Sequence, residues 1–390
     1  MTMTGTRPDP RLLSRVIEVA RVMLVVGLVF LHYGAFPNAV QSPFVGFVPG
    51  PHAFATFVNS TVLFFFFSAV PLLSTVSGWL FFGFGQERTA PALRRRIRGR
   101  ARSLYAPLVA WNALFLAAAL VLYASGKGGA LLAQLNIELG RAAAMDYVNA
   151  VFGLTAHPVA FQFWFVRDLF LTVLVSPLLW LMLRHAPLIG AAVLGAVWIT
   201  DGDFWIFFRT DVLFFFYLGG LLRTKGWMPM PGPRATWALL AVYLVLVALR
   251  ALAPLAVDMA VPEERALIDL ATRAMRPLGV LACWGLCLRI AAASWGAPIA
   301  RHGNFAFFLH ATHFPLIAAV KLALWRLVPV ETDGWMLAHY AASVAVTLLL
   351  CFAAARAISA VSPGLYAFLA GGRDLRVVPR GGERLSPAPG

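Results

Sequence analysis

The chain has 390 residues, of which 60% are hydrophobic and only 13% charged; its formal net charge is +15 and its mean hydropathy is +0.78. A soluble domain of this length would be far more polar, so the composition predicts an all-α, polytopic membrane protein and excludes a soluble enzyme. The cations cluster in short loops, as expected beside a lipid bilayer, so no nucleic-acid partner is predicted. The three cysteines lie in apolar runs and lack the wider ligand spacing of a zinc site, so we interpret them as core residues.

Ten apolar runs predict about ten transmembrane helices, because each is close to the ~20 residues needed to cross a bilayer, although the fifth and sixth are short. The predicted spans cover residues 16–34, 60–84, 104–125, 162–183, 187–201, 205–222, 235–254, 277–297, 304–325 and 336–359. They form one membrane domain over 16–360. An N-terminal segment, 1–15, precedes this domain, and the Gly-, Arg- and Pro-rich tail, 361–390, is predicted to be disordered.

The distribution of basic residues predicts the topology. Three arginines precede the first span and seven lie between the second and third, whereas the connection over 33–61 has no Lys or Arg. The positive-inside rule therefore predicts that both termini are cytoplasmic. Arg265 and Arg273 do not follow the rule, since they fall in a predicted outer connection.

Titratable groups interrupt the first span. Arg21 and His32 are eleven residues apart, so on a helix they share one face and lie roughly 16 Å apart along the axis. Ionisable groups at membrane depth usually mark a site, and Glu18 lies one turn before Arg21. A neutral imidazole can accept a proton from a hydroxyl, so His32 is predicted to be a general base. The alternatives are that His32 only forms a hydrogen bond between helices or lies at the membrane interface, and that the Arg21 side chain extends to the cytoplasmic headgroups.

A basic run leads into the third span. On a helix, Arg95, Arg98 and Arg102 follow i, i+3, i+7 spacing and share one face, while Arg100 points to the opposite side. Forked guanidinium donors match phosphate oxygens, so this face is predicted to bind a phosphorylated substrate. The alternative is a topological anchor that contacts anionic lipid.

Two later spans begin with polar side chains. Trp164, Arg167 and Asp168 open the fourth span, where they could contact a polar substrate, brace the helix end or, for Trp164, sit at the membrane interface. His310 and His313 begin the ninth span as an i, i+3 pair. No nearby Cys or acidic pattern completes a metal site, so none is predicted. His313 is expected to lie in a polar cavity or an acyl site, and the alternative is a role in packing.

In this order, these segments resemble the integral-membrane acyltransferase family often called acyltransferase 3. Two departures are Glu18, where an Asp is common, and Leu108, where a Tyr usually follows the Pro. The resemblance covers roughly residues 15–360 and rests on these motifs: Glu18, Arg21 and His32; Ser77-Gly78; Arg98 to Asn112; Trp164-Phe-Val-Arg167-Asp168-Leu; Phe216-Tyr-Leu-Gly219-Gly; and Phe307 to His313.

The resemblance implies transfer of an acyl group, commonly acetyl from acetyl-coenzyme A, to a carbohydrate hydroxyl at the inner membrane. Acyl-coenzyme A is then a co-substrate, with no bound cofactor or metal. The site residues expected on this basis are His32 and Glu18 for catalysis, Arg21, Arg95, Arg98 and Arg102 for acyl-coenzyme A, and Trp164, Arg167, Asp168 and His313 for the substrate pocket. The competing interpretations are a transporter or flippase of an anionic glycan or lipid, which the lack of inverted repeats disfavours, and a non-catalytic membrane partner.

Overall fold

The computed structural model describes residues 9–39, 41–47, 49–84, 89–126, 128–327 and 331–375. Every regular element in these ranges is a helix, which confirms the all-α prediction. The α-helices are α1 (Pro10–Tyr33), α2 (Ala53–Phe66), α3 (Ala69–Phe81), α4 (Thr89–Arg100), α5 (Ala106–Ala124), α6 (Gly129–Leu132), α7 (Ala144–Phe152), α8 (Trp164–Leu174), α9 (Ser176–His185), α10 (Pro187–Ile199), α11 (Asp211–Thr224), α12 (Pro233–Leu252), α13 (Pro262–Ala274), α14 (Arg276–Ala292), α15 (Gly296–Ala300), α16 (Ala306–Leu327), α17 (Asp333–Val361) and α18 (Pro363–Leu369).

Within the described residues, six helical segments are long and apolar enough to cross a membrane. Residues Phe161–Leu174 and Ser176–His185 are bent by 59° and raise the number to seven if they count as one span. α1 is not among the six, although its 24 residues are long enough to cross. The chain is thus a multi-pass membrane protein, while the predicted count of ten and the cytoplasmic termini stay predictions. The six are Ala53–Phe81, Thr89–Ala124, Pro233–Leu255, Pro262–Ala292, Gly296–Leu327 and Asp333–Val361.

The fifth and sixth predicted spans correspond to short helices. α10 has 13 residues and α11 has 14, so each is only about 20 Å long. α11 packs closely against α3, because a Cβ on Gly78 would lie 1.9 Å from Phe216 O and one on Gly219 would lie 1.9 Å from Thr75 O. Backbone contact of this kind is how small residues stabilise helix pairs in membranes. The Ser-Gly and Gly-Gly motifs therefore meet each other.

α1 lies at the centre of the bundle, where it packs against α2, α3, α14, α16 and α17. Its buried face carries small and branched apolar residues, while His32 and Arg21 each line a cavity between the neighbouring helices. α16 crosses beside it and is kinked at Pro315, which has no N–H to continue the helix. The cysteines Cys283, Cys287 and Cys351 are buried, in agreement with their predicted place in the core.

Part of the tail is ordered against the bundle. The sequence predicted disorder from 361 onward, but residues 363–369 form α18, and the chain is described as far as 375. Burial of Tyr366, Leu369 and Ala370 explains the difference, because these side chains supply the apolar contacts that the composition of the whole tail obscured. Residues 376–390 and 1–8 lie outside the described part of the chain.

Candidate active site

A pair of histidines joins α1 to α16. The Nδ1 atom of His32 lies 2.7 Å from the Nε2 atom of His313, and the two rings are nearly parallel, with an interplanar angle of 4°. His313 is fully buried, whereas His32 is half-buried. The sequence predicted both residues for the site, and the structure brings them into direct contact.

The hydrogen bonds around this pair fix the tautomers of the neutral rings. Nδ1 of His313 lies 2.9 Å from the Leu309 carbonyl oxygen, which can only accept, so this nitrogen carries the proton. Nε2 of His313 is then an acceptor, and Nδ1–H of His32 donates to it. The remaining lone pair of His32 is therefore on Nε2, which makes this atom the free base of the pair.

The kink of α16 is held by a glutamine from the turn that precedes α8. Phe314 leaves helical geometry just before Pro315, and the carbonyls of Ala311 and Phe314 both accept hydrogen bonds from Nε2 of Gln162, at 3.2 and 2.9 Å. Gln162 is completely buried. It therefore fixes the backbone of α16 on both sides of His313.

His32 lines a cavity of about 580 Å³ at the C-terminal end of α1, here named the histidine cavity. This volume is in the range of sites that hold small molecules. Lys321 is at its wall and donates to the carbonyls of Tyr33 and Ala35, at 3.0 Å each, so this cation caps the end of α1. The polar and aromatic lining includes His32, Gln134, Phe161, Gln162, Trp164, Arg209, Asp211, His310 and Lys321.

Trp164, one of the predicted pocket residues, lies in this lining beneath a guanidinium group. Arg209 stacks over its ring, with 5.0 Å from the guanidinium carbon to the ring centroid, and pairs with Asp211 at 3.2 Å. Asp211 also accepts from Arg276 at 3.0 Å. The cavity thus places an aromatic ring, the exposed guanidinium group of Arg209 and the paired carboxylate of Asp211 close together, a combination suited to a polyhydroxylated molecule.

Arg167 and Asp168 do not line this cavity. Arg167 donates to the carbonyls of Gly153, Leu154 and Ile206 and to the Asp168 carboxylate, 2.7 Å away. The other Asp168 oxygen accepts from the backbone N–H of Arg209 at 2.9 Å. Both side chains are buried and their bonds hold the loops around Arg209, so the geometry favours the bracing role that the sequence left open as an alternative.

A second cavity, of about 110 Å³, lies nearer the N-terminal end of α1 and is here named the arginine cavity. Three arginines from distant parts of the chain line it: Arg21 of α1, Arg100 of α4 and Arg373 beyond α18. Burial lowers the pKa of Arg373 to about 10, and repulsion from the nearby guanidinium groups of Arg21 and Arg100 contributes to this decrease. The cavity is therefore strongly positive.

Glu18 belongs to this cationic cluster and not to the histidine pair. Its carboxylate lies 2.5 Å from Nη1 of Arg21, while fourteen residues of helix, about 21 Å, separate it from His32. Gly303 packs directly against it, because a Cβ there would be 1.9 Å from Glu18 Oε2. The two predicted catalytic residues are thus not in contact, and Glu18 orients Arg21.

The basic run is helical, as predicted, but the arginine that lines the cavity is not one of those expected. Arg95, Arg98 and Arg102 are exposed and do not line the cavity, whereas Arg100, predicted to point the other way, does. Arg96 donates to the carbonyls of Leu80, Phe81 and Gly83 and so caps the end of α3. A π-helical turn follows directly, at Ala101–Tyr105, and π-turns often occur at functional sites.

The two cavities meet at two side chains. Phe165 and His310 line both of them, and their rings lie 5.9 Å apart. His310 is also 5.8 Å from the His313 ring. These two shared side chains, one phenyl and one imidazole ring, are here named the partition between the two cavities.

Sequence reasoning missed Arg100, Arg373 and Gln162. The helical spacing of Arg95, Arg98 and Arg102 points away from Arg100, and Arg373 lies in a Gly- and Arg-rich tail, so no sequence pattern singles out either residue. Gln162 gave a signal that could have been used, since an uncharged polar residue in an apolar run at membrane depth needs hydrogen-bond partners.

A bundle of apolar helices that encloses a hydrogen-bonded histidine pair and a half-buried arginine cluster has the parts of a membrane-embedded group-transfer enzyme. Comparison with known proteins gives the family: residues 15–356 match the family described as Acyltransferase domain, and the chain belongs to this family. The resemblance stated from the motifs is confirmed, and the chain is an acyltransferase.

One relative covers nearly the whole chain. Succinoglycan biosynthesis protein ExoH from Rhizobium meliloti (strain 1021) is 24% identical over 373 residues, which are 96% of this chain and 94% of that protein. No solved structure matches the chain.

Proposed function

We propose that this acyltransferase transfers an acyl group, most simply acetyl, from acyl-coenzyme A to a hydroxyl of a cell-surface or exported glycan. One observation carries the proposal: a cavity with a free imidazole base and a cavity with convergent arginines meet at the partition formed by Phe165 and His310. Acyl transfer from a polyanionic thioester to an alcohol needs both environments, and it needs them next to each other.

The arginine cavity suits the donor. Coenzyme A carries phosphates, for which forked guanidinium groups are the matched donors, and Arg21 and Arg100 converge on this space. The exposed Arg95, Arg98 and Arg102 continue the positive surface outward from the same helix and would attract the donor before it enters. The thioester end would then lie at the partition.

The histidine pair suits the chemistry. Nε2 of His32 accepts the proton of the acceptor hydroxyl as the hydroxyl oxygen attacks the thioester carbonyl carbon. A carbon–oxygen bond forms, the carbon–sulfur bond breaks, and coenzyme A leaves as a thiolate, which takes up the proton that His32 releases. His313 stabilises the protonated His32, because its Nε2 accepts the Nδ1–H of that ring.

The acceptor is proposed from the histidine cavity together with the relative. Trp164 and the polar groups around it could stack against and hydrogen-bond a sugar ring, and the relative is named for the biosynthesis of succinoglycan, a polysaccharide. The acceptor panel in the experiment below distinguishes a glycan from a small molecule with a similar hydroxyl.

Label transfer tests the proposal. Purified protein in lipid nanodiscs is incubated with acetyl-coenzyme A radiolabelled in the acetyl group and with a panel of glycans and small alcohols. Covalent label on a glycan, base-labile and lost in His32→Ala, is expected. Movement of glycan across a liposome membrane without covalent label would instead identify a transporter and overturn the proposal.

Topology forms part of the same proposal, because the donor is cytoplasmic. The arginine cavity lies toward the N-terminal end of α1. We propose that the protein lies in the inner membrane, and the basic loops predict that this end of α1 faces the cytoplasm. Reporter fusions at residue 86 and in the C-terminal tail should report the cytoplasm, and one near Ser42 the opposite side. A C-terminal reporter active on the outside contradicts this orientation.

A further inference from the structure

The match to the family ends at residue 356, yet the chain continues into a docked segment at residues 362–375. Ser362 caps α18 by accepting the N–H of Leu365, and the helix buries Tyr366 against Phe308, with ring centroids 5.3 Å apart. Nε1 of Trp111 donates to the carbonyl of Leu369 at 3.0 Å. Specific side-chain contacts therefore hold this segment on α5 and α16.

Two glycines then turn the chain toward the arginine cavity. Gly371 and Gly372 have φ values of +69° and +80°, which residues with a side chain rarely adopt. A Cβ on Gly371 would also lie 2.4 Å from the carbonyl oxygen of Ser103, in the π-helical turn. The turn continues to Asp374, whose carbonyl accepts from Asn304 at 3.1 Å. Backbone geometry thus places residue 373 at the cavity.

Arg373 adds a third guanidinium group to a site that already holds two. It lines the cavity with Arg21 and Arg100, and its side chain is steadied by a 3.1 Å bond to the Ala370 carbonyl and by the Phe307 ring at 5.5 Å. Glu18 balances one of the three charges. An anion in the cavity would offset both the cost of burial and the repulsion that lower the pKa of Arg373 to about 10.

We propose that residues 362–375 are a C-terminal latch that completes the donor site, with Arg373 binding a phosphate of acyl-coenzyme A. The inference rests on the proposed function, since it takes the donor to be a coenzyme A thioester. Binding and docking are linked: a donor that interacts with the docked latch stabilises it by the same free energy with which the latch stabilises the bound donor.

Donor binding tests the role of Arg373 without any turnover. Calorimetric titration of coenzyme A into the full-length protein in nanodiscs should show an affinity roughly tenfold or more weaker for Arg373→Gln than for wild type, the usual effect of losing a charged hydrogen bond. Arg373→Lys should fall between the two. Arg301→Gln is the matched control, an exposed cation two residues from cavity-lining Gly303, and should match wild type.

Hydrogen exchange tests the latch itself. The backbone amides of residues 364–372 should exchange more slowly when coenzyme A is added to wild type, and this added protection should be lost in Arg373→Gln. If wild type binds coenzyme A and Arg373→Gln binds it equally well, or if protection does not change, the latch is wrong while the proposed function stands. If wild type binds no coenzyme A, the donor assignment fails and the latch fails with it.

Discussion

The histidine cavity and the arginine cavity are built by opposite rules. In the first, side chains are held by hydrogen bonds to one another and to backbone carbonyls, so that His32 has one defined tautomer. In the second, three guanidinium groups converge with one carboxylate, Glu18, to balance them. A proton acceptor needs a fixed direction, whereas an anion site needs uncompensated charge. The comparison teaches that changes in the first cavity should affect turnover and changes in the second should affect donor affinity.

The largest effect is expected at His32. His32→Ala removes the base, so kcat should fall by about 10²–10⁴-fold while the affinity for coenzyme A stays at the wild-type value. Transfer of radiolabelled acetyl measures the first quantity and calorimetry the second. A wild-type kcat in His32→Ala would show that His32 is not the base. A donor affinity reduced as much as kcat would show that the two cavities do not have separate functions.

His313 sharpens the same side of the comparison. His313→Phe keeps a ring but removes the acceptor for Nδ1–H of His32, so kcat should fall by roughly 10–100-fold, as when a group that orients a functional imidazole is lost. His313→Gln can still accept that hydrogen bond and should retain much more activity. Equal losses in the two variants, at equal thermal stability, would show that His313 acts through packing alone.

Arg100 and Arg98 form a matched pair for the other side. Arg100→Gln should raise the KM for acetyl-coenzyme A by about tenfold with little change in kcat, because a charged hydrogen bond to the donor is lost. Arg98→Gln, two residues away and exposed, should change KM far less. A larger rise in KM for Arg98→Gln than for Arg100→Gln would assign phosphate recognition to the exposed face of Arg95, Arg98 and Arg102, as helical spacing alone predicted.

The smallest expected effect is on the donor KM when Glu18 is displaced by a substitution at Gly303, which packs against it. Gly303→Ala places a Cβ where Glu18 Oε2 now lies, so the Glu18–Arg21 pair must shift. A rise of a few-fold in donor KM is expected, with kcat unchanged. Gly99→Ala is the control, since a Cβ there meets no atom within 4 Å. A change in kcat without a change in KM would assign Glu18 to the chemical step, as the sequence first predicted.

The sequence predicts interactions between residues that are close along the chain better than interactions between residues that are far apart. The shared face of Arg21 and His32 is local to one helix, so spacing alone gives it, and the motifs gave the family. The bond between His32 and His313 joins residues 281 positions apart, and no periodicity reports such a contact. Spacing identified the face of Arg95, Arg98 and Arg102 but not which face meets the bundle, because tertiary packing decides that.

The number of spans shows a different limit. Residues 187–201 and 205–222 are apolar, but hydropathy alone does not give the length of the helix that such a run forms, and the count of ten stays a prediction. The structure gives α10 and α11 lengths of 13 and 14 residues, and α11 is covered by α3 on its glycine face. Arg373 was hidden for a related reason, since the Gly371-Gly372 turn that places it has the composition of a disordered tail.

α1 runs without a break from Pro10 to Tyr33 and so fixes the separation of Arg21 from His32 at about 16 Å. The length of this rigid helix therefore sets the distance between the donor-binding arginine and the proposed base. A donor can use both ends only if a flexible arm of matching length joins its anionic group to its reactive carbonyl, which a pantetheine thioester has and a compact acyl phosphate lacks. The length of the donor's flexible arm, matched to this fixed distance along α1, would then select the donor independently of any contact with the acyl group.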